Sequence, residues 1–507
     1  MRCTRSAPNL SGPRSRSLAL LRYRCSGSRR DSVVSFRSLN RRQFFGAASA
    51  LLPAAATMRG QSASRRPNIV FLMTDNHRWD LLGCAGNEII QTPNIDRLAE
   101  RGVRFTNSFC TTSICAATRA SILTGEFRRE HGYTFTMPAM SVQRMDRSYP
   151  ALLKQSGYRT GFVGKLGVEV DPRAPDRMFD FYRRRIASST RNPYYREADD
   201  GKVKHITTIN GDDAVEFIRT SSQDQPFCLS VSFSAPHPED DHIDQYIFDR
   251  DLQAFYEQDV IPPPPISDHE YFHQLPGFIQ VSMSRQRWFR RFDTPEKYQR
   301  MMKGMYRLIT GVDRQVGRIV AELERRGFDD NTVVIFTGDN GIMIGEHGLT
   351  GIWLMYEGSI RKPLIIADPR LGGSRHAVTA EQMTLSFDCP VTMLDLAGLP
   401  IPEQMRGRSL VPLMRGETVD WREDFFYEHL YERETIPKSE GVRTERFKYV
   451  RYFERNPVYE QLFDLVADPN EITNLVGDPK HGATLRALRA RCDELRDGVG
   501  GPYVRGM

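Results

Sequence analysis

The 507-residue chain predicts an α/β fold, a mostly parallel central sheet sandwiched by helices, with a smaller C-terminal antiparallel sheet subdomain. Three observations predict it. Short unbroken apolar runs such as Asn68-Ile69-Val70-Phe71-Leu72-Met73 suit strands buried on both faces. These runs alternate with helical stretches, the rhythm of parallel strands joined by helical crossovers. Towards the end, Phe447-Lys448-Tyr449-Val450-Arg451-Tyr452 alternates instead, as in a sheet with one packed face.

The elements follow in order. After the first strand, Pro93 to Arg101 reads as a helix, with Thr92 placed to cap it and Pro93 in its first turn. Val103 to Phe109 reads as a strand and Ala116 to Leu123 as a helix that begins beside Cys115. Tyr149 to Gln155 is a helix stopped by Gly157, and Tyr158 to Gly164 a strand. Asp212 to Thr220 reads as a helix and Phe227 to Phe233 as a strand. A long amphipathic helix is expected over Glu296 to Arg326, with a break near Gly311. Strands at Thr332 to Phe336 and Pro363 to Ala367, then a helix at Pro390 to Leu396, complete the alternation. Residues 238–295 interrupt it with a polar and aromatic insertion around Pro262 to Pro265, suited to shaping a substrate mouth, and residues 421–465 carry the antiparallel pattern. These patterns divide the chain into a leader (1–56), an α/β domain (65–415) and a C-terminal subdomain (416–507).

Composition, at 40% hydrophobic and 26% charged residues, is that of a globular protein. Residues 1–42 hold eleven Arg against one Asp, so the net charge of +7 belongs to the leader and the remainder is slightly acidic. No basic face argues for nucleic acid. Within the leader, Asn40-Arg41-Arg42-Gln43-Phe44-Phe45-Gly46 resembles a twin-arginine signal, followed by the apolar run Ala47 to Leu52 and by Ala54-Ala55-Ala56 as small residues for cleavage. That run is too short to span a bilayer, so it reads as an address for the twin-arginine translocase, without stable membrane insertion, and predicts a periplasmic or extracellular protein. Residues 1–39 are rich in Ser and Arg and read as disordered. Cys3 and Cys25 lie in the leader; Cys84, Cys110, Cys115, Cys228, Cys389 and Cys492 remain and form no Cys-x-x-Cys pair, which argues against a zinc knuckle.

Chemistry-bearing residues cluster at the ends of the expected strands, where open α/β sheets form ligand sites. Thr74-Asp75-Asn76-His77 follows the first strand, Gly164-Lys165-Leu166-Gly167 a second, Ser234-Ala235-Pro236-His237-Pro238 a third and Thr337-Gly338-Asp339-Asn340-Gly341 a fourth. Arg119 lies four residues after Cys115, on the same helical face.

The run Cys115-Ala116-Ala117-Thr118-Arg119, closing in Leu123-Thr124-Gly125, resembles the sulfatase signature Cys-x-Pro/Ala-x-Arg … Leu-Thr-Gly. The resemblance extends over the strand-end motifs from about Pro67 and over the C-terminal runs Val442 to Tyr449 and Gln461 to Leu465, reaching Leu475. It implies that Cys115 is oxidised by a formylglycine-generating maturation enzyme to formylglycine, whose hydrate attacks the sulfur of a sulfate ester. It also implies that Asp75, Asn76, Asp339 and Asn340 ligate a cation. The family usually has Asp where Asn76 stands, but four oxygen side chains still suit Ca²⁺ or Mg²⁺ rather than zinc. Arg119 would then hold the nucleophile and metal ligands, and Lys165 and His237 would contact sulfate. The implied substrate is a sulfated small molecule or glycan, with export and the insertion favouring carbohydrate sulfate.

Two positions depart from the family pattern. Gly167 stands where a histidine helps to expel sulfate, and Ile352 where a lysine contacts sulfate and protonates the leaving oxygen. His77, His131, Glu169, His242 and His347 are candidates to fill the gap, while Lys362 lies ten residues past Ile352 beside a strand. Three readings follow from this pattern: a sulfate-ester hydrolase, a catalytically silent relative that binds sulfated glycans, and a phosphodiester or phosphonate hydrolase of the wider alkaline-phosphatase-like superfamily.

Overall fold

The computed structural model describes residues 65–504, apart from 136, 186–193 and 372–376. The leader and its twin-arginine motif lie outside the described residues. Eight strands build the central sheet: β1 (Asn68–Thr74), β2 (Val103–Phe105), β3 (Arg159–Gly164), β4 (Phe181–Arg184), β5 (Phe227–Ser232), β6 (Thr332–Gly338), β7 (Leu364–Ala367) and β8 (Val378–Ala380). Their order is β8-β2-β7-β6-β1-β5-β3-β4. Every pairing is parallel except the two made by β7. The helices that matter to the site and the core are α1 (Pro93–Glu100), α2 (Cys115–Thr124), α3 (Tyr149–Gln155), α4 (Ile206–Arg219), α5 (Met283–Arg291), α6 (Pro295–Arg325), α7 (Asp388–Leu396) and α8 (Gly482–Asp497).

The apolar run of β1 serves both faces of the sheet. Val70 and Leu72 join a core cluster with Phe217 and Ile218 of α4 and Ile309 and Val312 of α6. Ile69, Phe71 and Met73 point the other way, into a cluster with Ala116 and Ala120 of α2, Leu153 of α3 and Met393 of α7. Period-two alternation with both faces covered is why the strand reads as continuously hydrophobic. The C-terminal strands β9 (Asp424–His429), β10 (Ser439–Thr444), β11 (Phe447–Tyr452) and β12 (Tyr459–Asp464) form an antiparallel meander. This small sheet shares a third cluster with Phe109 and Leu385 of the main body, where the Phe109 and Phe425 rings stack at 5.1 Å.

Several sequence expectations shift. The long helix α6 runs unbroken through Gly311, because its buried face packs along the core and outweighs the roughly 1 kcal/mol a helical glycine costs. Helix α4 begins at Ile206, six residues before Asp212, with the His205 ring accepting from the Thr207 amide at its cap. Thr92 does not cap α1; its hydroxyl bonds Asp96 and the Gly83 amide instead. The expected strand over Val103 to Phe109 divides into β2 and the pair Ser108–Phe109, which joins Thr384–Leu385 in a separate small sheet. Among the described residues no helix is long and apolar enough to cross a membrane, and all six cysteines there are free.

A buried ion triad ties the small sheet to the main body. Lys448 of β11 is fully buried, with its ammonium 2.8 Å from Glu357 and 2.7 Å from Glu471. Burial opposes ionisation of Glu357, but Lys448 and Arg443 outweigh it and hold that carboxyl down at about 2. Burial and the neighbouring Glu357 charge push Glu471 up to about 7 against the pull of Lys448. Removing the shared cation in Lys448→Met is expected to cost about 3–5 kcal/mol in urea unfolding, since buried Glu471 loses its cation and buried Glu357 is left with the 3.4 Å Arg443 pair. Glu471 binds its proton more tightly folded than unfolded, so between 4.5 and about 7 the native state carries the extra proton. Its contribution to stability is therefore full below 4.5 and is lost as pH rises through about 7. Urea melts at pH 5 and pH 8 are expected to show that decline in the parent and its removal in Glu471→Gln.

Candidate active site

Cys115 is the first residue of α2, entered from the extended Ile114, so it sits where the free N–H groups of a helix start favour an anion. The entry is pinned: the Ser113 hydroxyl donates to the Ser359 carbonyl at 2.9 Å and the Thr118 hydroxyl to the Thr112 carbonyl at 2.5 Å. All ten residues of α2 are buried, and the helix closes at Gly125 with φ +75°, a left-handed turn suited to glycine. Burial pushes the Cys115 thiol up to about 12; Lys165 and Arg119 pull it down, and Asp75 and Asp339 push it further up. The unmodified side chain is thus a neutral thiol and a poor nucleophile.

One turn along, Arg119 lies on the same face and is 1% exposed. Its Nε donates to Asp339 Oδ2 at 2.9 Å, Nη2 to Asp75 Oδ2 at 3.2 Å, and Nη1 to the Lys165 carbonyl at 2.6 Å and Ser232 Oγ at 2.5 Å. These partners come from the C-terminal ends of four adjacent strands. In the parallel register Thr74 of β1 faces Gly338 of β6, which sets Asp75 and Asp339 side by side. Lys165 follows β3, Ser232 ends β5, and the Lys165 ammonium pairs with Asp75 Oδ2. Asp339 Oδ1 accepts the Asn76 amide at 3.0 Å and its neighbour Asn340's at 2.8 Å, while Asn340 Nδ2 donates to Asn76 Oδ1 at 2.7 Å. Asn76 holds φ +59°, a conformation Asn tolerates better than most residues.

Asp75, Asn76, Asp339 and Asn340 are therefore brought together, as the sequence suggested. Two carboxylates and two carboxamides there make an all-oxygen set, the candidate cation site. Asp75 Oδ1 and Asn340 Oδ1 are buried without a hydrogen-bond partner, and orphaned oxygens of this kind fit a hard cation.

His237 follows β5 on a loop held by the Tyr194 hydroxyl, which donates to its carbonyl at 2.5 Å. Burial lowers its imidazole to about 4 against the pull of Asp75, with Lys165 opposing protonation, so the ring is neutral near pH 7. Gly167 has φ +71°, and a β-carbon there would lie 2.4 Å from Arg119 Cδ. The buried guanidinium stem thus occupies the space that a side chain at 167 would need. Ile352 is buried in an apolar cluster with Ile114, Ala117, Trp353 and Ile436.

The candidates to replace these groups are engaged elsewhere. His77 bonds Thr74 Oγ1 and the Leu81 carbonyl, and His131 bonds Ser121 Oγ and the Tyr133 amide. Glu169 pairs with Arg184, His347 packs on Tyr356, and the His242 ring accepts the Asp244 amide. Lys362 is fully buried against Ser108 Oγ and Thr337 Oγ1. Sequence reasoning missed Asp240 and Arg287 of the 238–295 insertion, which pair with each other beside the site. A recognisable signal was present, since Arg287 and Arg291 stand four apart on one helical face and both reach Asp240.

A family model described as Sulfatase matches residues 67–399, and one described as N-sulphoglucosamine sulphohydrolase, C-terminal, matches 345–498. The chain is 29% identical to an N-acetylglucosamine-6-O-sulfatase of Bacteroides thetaiotaomicron, over 88% of this chain and 90% of that protein. A solved structure in complex with its substrate D-glucosamine-2-N,6-O-disulfate superposes with a TM-score of 0.72 at 25% identity, covering 85% of this chain and 98% of that one. The phosphonate monoester hydrolase of Agrobacterium radiobacter shares the fold, with a TM-score of 0.69 at 24% identity, covering 85% and 96%.

The contact between residue 167 and Arg119 gives a direct expectation. Gly167→Ala adds a β-carbon at positive φ against a buried side chain and is expected to destabilise by about 1–3 kcal/mol in urea unfolding. Gly398→Ala, at φ +69° but with open space around it, separates the backbone cost from the clash.

Proposed function

Because the chain belongs to the sulfatase family, whose members hydrolyse sulfate esters and generally use formylglycine and a divalent cation, we propose that it hydrolyses glycan sulfate esters at Cys115. The observation that carries this reading is the convergence of Arg119, Lys165, Asp75 and Asp339 around the start of the Cys115 helix. The carbohydrate class is supported by the named substrates of the N-acetylglucosamine-6-O-sulfatase and of the complexed structure. Export through the leader, by the twin-arginine translocase to the periplasm or beyond, fits a substrate met outside the cell.

In the net reaction water replaces the alcohol on sulfur, breaking one S–O bond and releasing sulfate. Formylglycine at position 115 would supply an oxygen nucleophile, and Ca²⁺ or Mg²⁺, which Asp75, Asn76, Asp339 and Asn340 would hold, would supply Lewis-acid polarisation. Arg119 fixes both carboxylates beside the nucleophile with fixed donors, and at Asp339, which burial and the Asp75 charge push up to about 6, it favours the ionised form. Lys165, at 18% more exposed than Arg119, pairs with Asp75 and binds a sulfate oxygen. His237, neutral near pH 7, donates a hydrogen bond to the sulfate or its bridging oxygen without adding charge. Gly167 gives no imidazole to this site, so expulsion of sulfate relies on groups other than a side chain at that position.

The test is sulfate release, by ion chromatography, from a panel of sulfated mono- and disaccharides, using protein co-produced with a formylglycine-generating enzyme. Release is expected from at least one sugar, with loss of about 10⁴-fold or more in Cys115→Ala and loss on exhaustive chelation that Ca²⁺ or Mg²⁺ restores. Turnover of matched phosphonate or phosphate diesters with no sulfate release would move the reading to the superfamily's phosphoryl chemistry. Binding of sulfated sugars without turnover would identify a silent glycan-binding relative.

A further inference from the structure

The segment that carries Ile352 has a cation beside it, and that cation comes from the insertion. The side chain of Arg287, on α5, runs along this segment. Its Cδ lies 3.8 Å from where a β-carbon of Gly351 would stand, and its guanidinium carbon lies 4.5 Å from the centre of the Trp353 ring. Trp353 is locked to the entry of the Cys115 helix: its amide donates to the Ser113 carbonyl at 3.0 Å, and its own carbonyl accepts the Tyr427 hydroxyl at 2.7 Å. Trp353 and Ile352 also share one apolar cluster with Ile114, which precedes Cys115, and Ala117 of the first turn of α2, and Met283 of α5 packs against that cluster. Arg287 is therefore fastened, through one ring, to the wall immediately beside the nucleophile. Electrostatics agrees with the geometry, since the charge of Arg287 opposes protonation of His237.

The guanidinium is held without being used up. Asp240 accepts Nη2 of Arg287 and Nη2 of Arg291, so one carboxylate is shared between two cations. Arg291 is fully buried and is fixed further by Gln245 Oε1 at 2.9 Å, whereas Arg287 keeps 17% exposure. A planar fork has five N–H donors, and stacking on an aromatic face leaves its edge available to a tetrahedral oxyanion. Burial and the neighbouring Arg291 and Arg433 lower Arg287 to about 10 against the pull of Asp240, which leaves it a cation at neutral pH.

Building on the sulfate-ester reading, we propose that Arg287 binds the sulfuryl oxygens of the substrate, delivering from the 238–295 insertion the positive charge that Ile352 cannot. Its hydrogen bonds strengthen as negative charge grows on those oxygens during S–O cleavage, without transfer of a proton from the guanidinium. The sulfate subsite is thereby built partly by the insertion, and Asp240 is the positioning residue that aims the fork.

The experiment compares the matured holoenzyme with Arg287→Met and Arg287→Lys. Asp240 keeps Arg291 as a partner in both, so their thermal unfolding is expected to match the parent. Arg287→Met is expected to lower kcat/KM for a sulfated sugar by about 10²–10³-fold, and Arg287→Lys to recover about tenfold of that loss. Inorganic sulfate is the second probe. Sodium sulfate, against sodium chloride at equal ionic strength, is expected to raise the melting temperature of the parent and to have at least about tenfold weaker apparent affinity for Arg287→Met. Retention by Arg287→Met of both kcat/KM and sulfate affinity within about threefold of the parent would overturn the assignment. A parent that releases no sulfate from any ester defeats the hydrolase reading instead, and the sulfate-affinity comparison then decides Arg287 on its own.

Discussion

The buried ion pairs of Arg119 are the constraint on which the rest of the site depends. A guanidinium at 1% exposure is sustained only if its donors are matched, and here they meet two carboxylates, a carbonyl and a hydroxyl. Those four acceptors belong to segments at the ends of β6, β1, β3 and β5. One side chain on the second turn of α2 therefore sets the distance between the Cys115 helix and the strand ends that carry the candidate cation ligands. Asp75 and Asp339 are in turn tolerable at zero exposure because Arg119 and Lys165 face them. Neither half of this arrangement is stable without the other.

The same constraint explains an otherwise puzzling glycine. The stem of Arg119 passes so close to Gly167 that a β-carbon there would overlap it, and the backbone at 167 already turns through positive φ. The loop after β3 thus wraps the arginine closely and presents the Lys165 carbonyl and ammonium. At Ile352 an apolar side chain seals the wall beside α2, and Arg287 of α5 stacks on the neighbouring Trp353.

Much of this was legible from residues alone. The run Asn68 to Met73 announced a doubly covered parallel strand, and parallel strands place their C-terminal residues on one edge of the sheet, so Asp75, Lys165, His237 and Asp339 could be grouped before any coordinates. The spacing of Cys115 and Arg119 likewise fixed a shared helical face. What escaped was decided by tertiary packing. Ile206-Thr207-Thr208-Ile209 is β-branched and reads poorly as a helix, yet packing makes it the first turn of α4. Gly311 suggested a break that burial of α6 overrides. No local period connects residue 287 with residue 115, because the path of an irregular insertion between them is set by contacts such as Asp240 with Arg287 and Arg291. The partners of His77 and His131 were hidden for the same reason: they are core hydroxyls and backbone groups brought close only by the fold.

The central claim is that this buried charge knot presents residue 115 as a formylglycine rather than as a thiol. The most direct measurement is peptide mass spectrometry of the Cys115 segment, from protein co-produced with a formylglycine-generating enzyme, with hydrazide capture of aldehydes as an orthogonal label. The account predicts an aldehyde at position 115 and at no other cysteine. An unmodified Cys115 thiol throughout the sample, in a host that matures a control sulfatase, would contradict it.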